Sequence, residues 1–169
     1  MSTGPSGIRV AQVLGIAGSA FVSGSIFSIS FISFPSLLTS PNHLAAQWAN
    51  LYARGATLMP PLSILSSSAF AYSAYFLYKN PTGFGLSEST SLTKAKLYIF
   101  AALLTVGIVP YTRGMMLPTN NKLKARKDGL DLAYTDETLE LAVKWNMMNA
   151  GRGLLPFLGA VVGSVGLLL

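Results

Sequence analysis

The residues of this chain that could do chemistry are few, and they stand in three short clusters. Trp48, Tyr52, Arg54, Gly55 and Pro60 form one; Pro110, Tyr111, Thr112, Met115, Pro118, Thr119 and Asn120 a second; Trp145, Asn149, Arg152 and Pro156 a third. The sequence has no cysteine, a single histidine at His43, and 6 carboxylates in all. Disulfides, iron–sulfur clusters and thiolate nucleophiles are therefore excluded. Bis-histidine haem and a di-iron site with two Glu-x-x-His motifs are excluded as well. Trp145, Asn149, Arg152 and Pro156 fall at i, i+4, i+7 and i+11, which is one stripe of a helix. An indole, an amide and a guanidinium at the edge of hydrocarbon are costly to desolvate without partners. Aromatic planes beside hydrogen-bonding groups suit a pocket for a flat, oxygen-rich, poorly soluble ligand.

The elements that must position these residues are written in the charge pattern. Of the 169 residues, 51% are hydrophobic and only 11% charged, against about 25% charged in soluble domains. No Lys, Arg, Asp or Glu occurs between Arg9 and Arg54, nor from Gly55 to Tyr78, stretches longer than the roughly 20 apolar residues that cross a bilayer. The chain reads as one integral membrane domain over residues 1–169, an all-α membrane four-helix bundle. Its spans are predicted at about residues 10–32, 56–78, 97–112 and 153–169. The first is too long for a signal-peptide core and reads as a retained helix. Gly18 and Ser19, spaced to Ser23, give it a face for close helix packing. Pro60-Pro61 either begins the regular part of the second span or kinks it. Tyr72, Tyr75 and Tyr78 at its end read as an interfacial aromatic belt.

Four spans leave residues 33–54 and 113–152 as two long loops on one side and residues 79–96 on the side of the termini. Arg54, Arg113, Lys122, Lys124, Arg126, Lys127, Lys144 and Arg152 lie on the two-loop side, which the positive-inside rule places in the cytosol. Short interfacial helices are expected in the first and third loops. One opens at Ser40-Pro41 and runs to about Tyr52, with Leu44, Trp48 and Tyr52 on one face and His43 at its edge. The other opens at Thr135 with Asp136 and Glu137 in its first turn. The net charge of +6 reads as contact with lipid headgroups, with no nucleic-acid partner. The methionines, Met115, Met116, Met147 and Met148 among them, read as adaptable lining rather than copper ligands.

The spacings W-x3-Y-x2-G-x4-P (Trp48 to Pro60), PYT-x2-M-x2-PTN (Pro110 to Asn120) and W-x3-N-x2-R-x3-P (Trp145 to Pro156), in this order and with these spans between them, resemble the anthrone oxygenase family. That family comprises small four-span membrane proteins frequent in fungal polyketide clusters. The resemblance covers nearly the whole chain. It implies oxidation of a polycyclic aromatic anthrone to the anthraquinone by molecular oxygen, without flavin, haem or metal. The partners implied are an aromatic polyketide substrate and O2, within membrane lipid. Homo-oligomerisation stays open.

With that chemistry in view, the expected roles follow. His43 is the candidate base, histidine being the residue type that ordinarily titrates near neutrality. Arg152 stabilises the developing oxyanion as a fixed cation. Asn149 and Asn120 hydrogen-bond the carbonyl and its neighbouring hydroxyls. Trp48 and Trp145 stack on the rings, and Tyr52 and Tyr111 donate through their hydroxyls. His43 lies outside the three motifs. Two readings compete: a non-catalytic tetraspan scaffold, and a protein that binds a lipophilic metabolite without transforming it. The membrane is expected to be the endoplasmic reticulum or another endomembrane.

Overall fold

In the computed structural model, which describes residues 4–82, 85–127 and 135–169, every extended element is a helix. Helix α1 (Gly4–Ser28) passes through a π turn (Ile29–Ser33) into α2 (Phe34–Leu37). A 3-10 turn (Pro41–His43) leads into α3 (Leu44–Lys79). After α4 (Glu88–Val106) come α5 (Ile108–Tyr111), a second π turn (Thr112–Met116) and α6 (Leu117–Lys127); α7 (Asp136–Leu168) completes the described chain.

The four long helices close into a ring in which α1 and α4 each touch both α3 and α7. Residue pairing shows every adjacent pair to be antiparallel. Gly15 meets Phe70 while Ile29 meets Gly55 across α1 and α3, and Gly107 meets Leu155 while Tyr98 meets Gly166 across α4 and α7. Close approach comes from small residues, as the spacing in the first span predicts. Ser19 and Ser23 are buried and donate to the carbonyls of Pro156 at 2.7 Å and Gly153 at 3.0 Å. The Phe70 ring of α3 sits between two glycines. A Cβ at Gly163 would stand 2.5 Å from it, and one at Gly15 2.7 Å. The interior is thus small and hydroxylated, while Leu14, Phe21, Leu65, Leu103 and Met147 project outward, the distribution of a bundle surrounded by hydrocarbon.

Three helical segments are long and apolar enough to cross a membrane: Ser6–Leu37, Glu88–Lys127 and Asp136–Leu168. Helix α3 falls outside that composition among the described residues. Its serines lower its hydropathy, yet Ser63, Ser66 and Ser73 donate to carbonyls of their own helix and Ser67 to Ala102 O of α4.

The expected separate interfacial helices are not present as such. The segment around Trp48 is the first part of α3, which runs unbroken through Pro60 and Pro61, and the segment opened by Thr135 is the first part of α7. Proline removes one N–H donor and does not forbid continuation where packing holds the chain helical. Thr135 does cap α7, its hydroxyl accepting from the Thr138 N–H at 3.2 Å. Ser40 caps nothing through its side chain, and the α-helix begins only at Leu44. Most of the region expected as loop between residues 113 and 152 is helix; residues 128–134 lie outside the described part.

Candidate active site

The site lies at one end of the ring, where both π turns occur. A cavity of about 330 Å3 is walled by Ile29 of the first π turn, Tyr52, Gly55 and Pro60 of α3, Thr112 of the second π turn, and Trp145, Asn149 and Arg152 of α7. π turns interrupt the regular hydrogen-bond ladder and are frequent at functional sites. Here both are tied to the same pair of α7 side chains. Asn149, fully buried, donates from Nδ2 to Ser30 Oγ at 2.8 Å and to Ile26 O at 3.2 Å. Arg152 donates from Nη2 to Asn149 Oδ1 at 2.6 Å and from Nη1 to Thr112 Oγ1 at 2.9 Å. The Thr112 hydroxyl passes its own proton to Ile108 O at 2.7 Å, leaving a lone pair for the guanidinium. The amide has only one workable orientation. Arginine can only donate and a carbonyl can only accept, so Oδ1 must face Arg152 and Nδ2 must face Ile26.

Arg152 is half-buried at the cavity wall, its hydrogen-bond partners are a neutral amide and a neutral hydroxyl, and its Nε is buried without a partner. A cation so placed, with no carboxylate beside it among the described residues, favours an anionic or strongly hydrogen-bond-accepting oxygen in the cavity. Pro60 and Pro156 lack the N–H that would otherwise bond the carbonyls of Ala56 and Arg152, two residues of the cavity wall.

The aromatic residues form a packed group beside this polar pair. Trp48 stacks on Tyr52 with centroids 5.2 Å apart and meets Trp145 edge-on at 5.6 Å. Lys124 Nζ of α6 lies 4.8 Å over the Tyr52 ring, a cation–π contact. Of the expected site residues, Tyr52, Trp145, Asn149 and Arg152 reach the cavity. Trp48 is fully buried behind Tyr52, and Tyr111 packs on the same cluster without lining the cavity. Asn120 is fully buried and neither amide atom has a partner. Met116 of the second π turn and Leu123 of α6 stand one turn to either side of it, and both pack with the two tryptophans. His43 is not brought to the site. It is exposed at the start of α3 and does not line the cavity, because its turn precedes the helix that carries Trp48 and Tyr52 inward.

Ser30 was not anticipated. Its signal was present in the stripe Ser19, Ser23, Ile26, Ser30, spaced i, i+4, i+7 and i+11 on α1 and its extension. Thr112 stood inside a motif, but nothing local showed that it would hold the arginine.

A family profile described as anthrone oxygenase matches residues 48–162. An anthrone oxygenase of Cryptosporiopsis sp. is 31% identical over 96% of this chain and 89% of its own. One from Claviceps purpurea is 31% identical over 96% of this chain and 90% of its own. A noranthrone monooxygenase of Aspergillus flavus is 24% identical over 92% of this chain and 72% of its own. No solved structure matches the chain. The matched region begins at Trp48 and contains Tyr52, Thr112, Asn149 and Arg152, so the cavity's polar wall on α3, the second π turn and α7 lies inside it; the chain belongs to the anthrone oxygenase family.

Proposed function

We propose that the protein is an oxidoreductase that converts a hydroxylated polycyclic anthrone to the anthraquinone with O2, as a monooxygenase needing no bound cofactor. The observation that carries this reading is Arg152, a cation at the wall of an aromatic-lined cavity whose own partners are all neutral. A cavity of about 330 Å3 stands at the lower end of the range for small-molecule sites, roughly 300–1,000 Å3, and accommodates a tricyclic body. All four long helices cross the bilayer, and the end bearing the site faces the cytosol of an endomembrane.

In this mechanism the substrate supplies the electrons. Its methylene carbon loses a proton, and the negative charge spreads onto the carbonyl oxygen, which lies against Arg152. Asn149 holds that guanidinium from one side and Thr112 from the other, so the positive charge is aimed before the reaction begins. The carbanion-like centre transfers one electron to O2, recombination of the two radicals forms a C–O bond, and the peroxide anion takes back a proton from water. The resulting hydroperoxide loses water, leaving the second carbonyl; one O atom enters the quinone and the other leaves as water. The rings are held by Trp145 and Tyr52, with Trp48 fixing the Tyr52 plane from behind. Tyr111 and Asn120 support that aromatic wall. His43 stands outside the cavity, and the proton passes instead to water beside Arg113, an exposed residue of the cavity wall.

The test is oxygen uptake and quinone formation by the purified protein in lipid, with chelator present and no cofactor added. Because anthrones oxidise spontaneously, buffer and Arg152→Ala are run alongside. Turnover well above both supports the reading. Quinone or anthrone binding with no turnover above buffer, in the wild type, replaces it with metabolite binding.

A further inference from the structure

The cavity shares a wall with a groove on the outside of the bundle. This groove lies between α1 and α3 and encloses about 500 Å3. Ile29, Leu51 and Gly55 line both spaces. Within this partition Ile29 packs toward Gly55, where a Cβ would stand 3.6 Å from Ile29 Cδ1. Ile29 opens the first π turn, so the side chain that closes the partition sits where the helix ladder is irregular. Two further apolar grooves of comparable size, one between α3 and α4 beside Tyr75 and Ile99 and one along α7 beside Val143 and Met147, have no residue in common with the cavity.

The groove is also polarised along its length. Arg54 and Ser28 stand at one end and Phe21 at the other. The seven residue steps from Phe21 to Ser28 cover about 10 Å of helix at ~1.5 Å per step, room for a fused aromatic body lying lengthwise with its hydroxyls toward Arg54. Phe21 and Leu58 on its flanks are 57% and 52% exposed on the apolar outer surface.

We propose that the α1–α3 groove is a lateral port through which the substrate, a lipophilic polycyclic phenol, passes from the bilayer into the cavity, with Arg54 orienting its hydroxyls and Ile29 as the gate. This rests on the functional reading above. A molecule that partitions into lipid reaches such a port without crossing water, and the cavity wall beside the exposed Arg113 is left for the transient proton and for the water released.

The chain has no cysteine, so a Ser28→Cys variant is labelled at one position only. Ser28 and Gly24 line the groove and not the cavity, and Gly24 has nothing within 4 Å of a Cβ placed on it. Bulk is therefore admitted there without disturbing the bundle. Quinone formation is followed for the protein in lipid nanodiscs with a dihydroxyanthrone dissolved in the lipid. Gly24→Trp, and Ser28→Cys after reaction with a pyrenyl maleimide, each lower kcat/KM by about tenfold or more with kcat at saturation retained, as expected when access alone is obstructed. Ala71→Trp in the α3–α4 groove leaves kcat/KM unchanged. A labelled, folded protein with wild-type kcat/KM overturns the port. If the wild type itself shows no turnover above buffer, the functional reading fails separately. The port is then judged by whether a dihydroxyanthraquinone in the lipid slows maleimide reaction at Ser28→Cys; an unaltered labelling rate overturns it.

Discussion

Arg152 Nη2 and Asn149 Oδ1 stand 2.6 Å apart on successive turns of α7, and each residue of the pair reaches a different π turn, Asn149 to Ser30 and Arg152 to Thr112. One amide–guanidinium contact therefore joins α1, α7 and the segment after α4 at the floor of the cavity. The pair is both the clamp that fixes the two irregular turns and the group that presents positive charge to a ligand.

Replacing Asn149 separates these duties. Asn149→Ala frees the guanidinium to rotate and is expected to lower kcat by about 100-fold, the scale for losing a preorganised charge contact. Asn149→Asp places a carboxylate against Arg152 and is expected to abolish turnover, because the anion that the cation should bind is already supplied, and to lower the thermal midpoint, because the donation to Ile26 O is lost. Steady-state quinone formation measures both. Wild-type kcat in Asn149→Asp would remove Arg152 from the mechanism.

Ser30 holds the pair from outside the cavity, whereas Thr112 holds it from the cavity wall. Ser30→Ala leaves Asn149 Nδ2 its bond to Ile26 O, so the expected loss of stability is about 1 kcal/mol, that of one buried hydrogen bond. Thr112→Val keeps the shape of the side chain but leaves Arg152 Nη1 unpaired beside the already unpaired Nε. It is expected to impair kcat more than Ser30→Ala does, and kcat ratios together with thermal midpoints in detergent check that order.

The ring depends on Phe70 being received by glycine on both sides. Gly163→Val would force a side chain into the 2.5 Å gap to the Phe70 ring and is expected to cost about 2–3 kcal/mol, the range for overpacking a filled interior. Phe70→Leu in the Gly163→Val background should recover part of that loss, although Phe70→Leu alone destabilises. Thermal midpoints of the single and double variants measure the coupling. Additive losses would place the strain elsewhere.

His43 is expected to be dispensable. His43→Ala should retain kcat/KM within about twofold across the pH range in which histidine titrates, since the side chain does not approach the cavity. A large loss, rescued by added imidazole, would return the base to this position and require the start of α3 to fold over the cavity.

The exposed cation over Tyr52 gives one more handle. Lys124→Met removes the contact at 4.8 Å and is expected to weaken quinone binding by about two- to fivefold, the effect of one exposed cation–π contact of roughly 0.5–1 kcal/mol. Fluorescence quenching of the buried tryptophans by bound quinone reads the affinity. Unchanged affinity would show that α6 does not position the Tyr52 ring.

Local pattern was enough for several features. The charge-free runs pointed to an all-α chain with helices long and apolar enough to cross a membrane, and the spacing Gly18, Ser19, Ser23 determined that α1 packs by its small face. The stripe Trp145, Asn149, Arg152 was readable because residues three and four apart on a helix share a face whatever surrounds them. The continuity of α3 through Pro60-Pro61 was not readable in the same way. A missing N–H weakens a helix locally, and whether the chain continues depends on what packs against it.

Contacts between distant segments decided the rest. Ser30 and Asn149 are 119 residues apart in sequence, and Thr112 and Arg152 are 40 apart; no periodicity announces such pairs, since they exist only after α1, α4 and α7 have come together. The same assembly chose among the aromatics, turning Tyr52 and Trp145 to the cavity, burying Trp48 behind them and leaving His43 outside. The sequence by itself determined the kind of protein and the residues on each helical stripe, because those follow from the period of one helix. Only the tertiary structure decided which stripes face one another, because that is fixed by packing glycine against Phe70 and by satisfying buried hydrogen-bonding groups across the bundle.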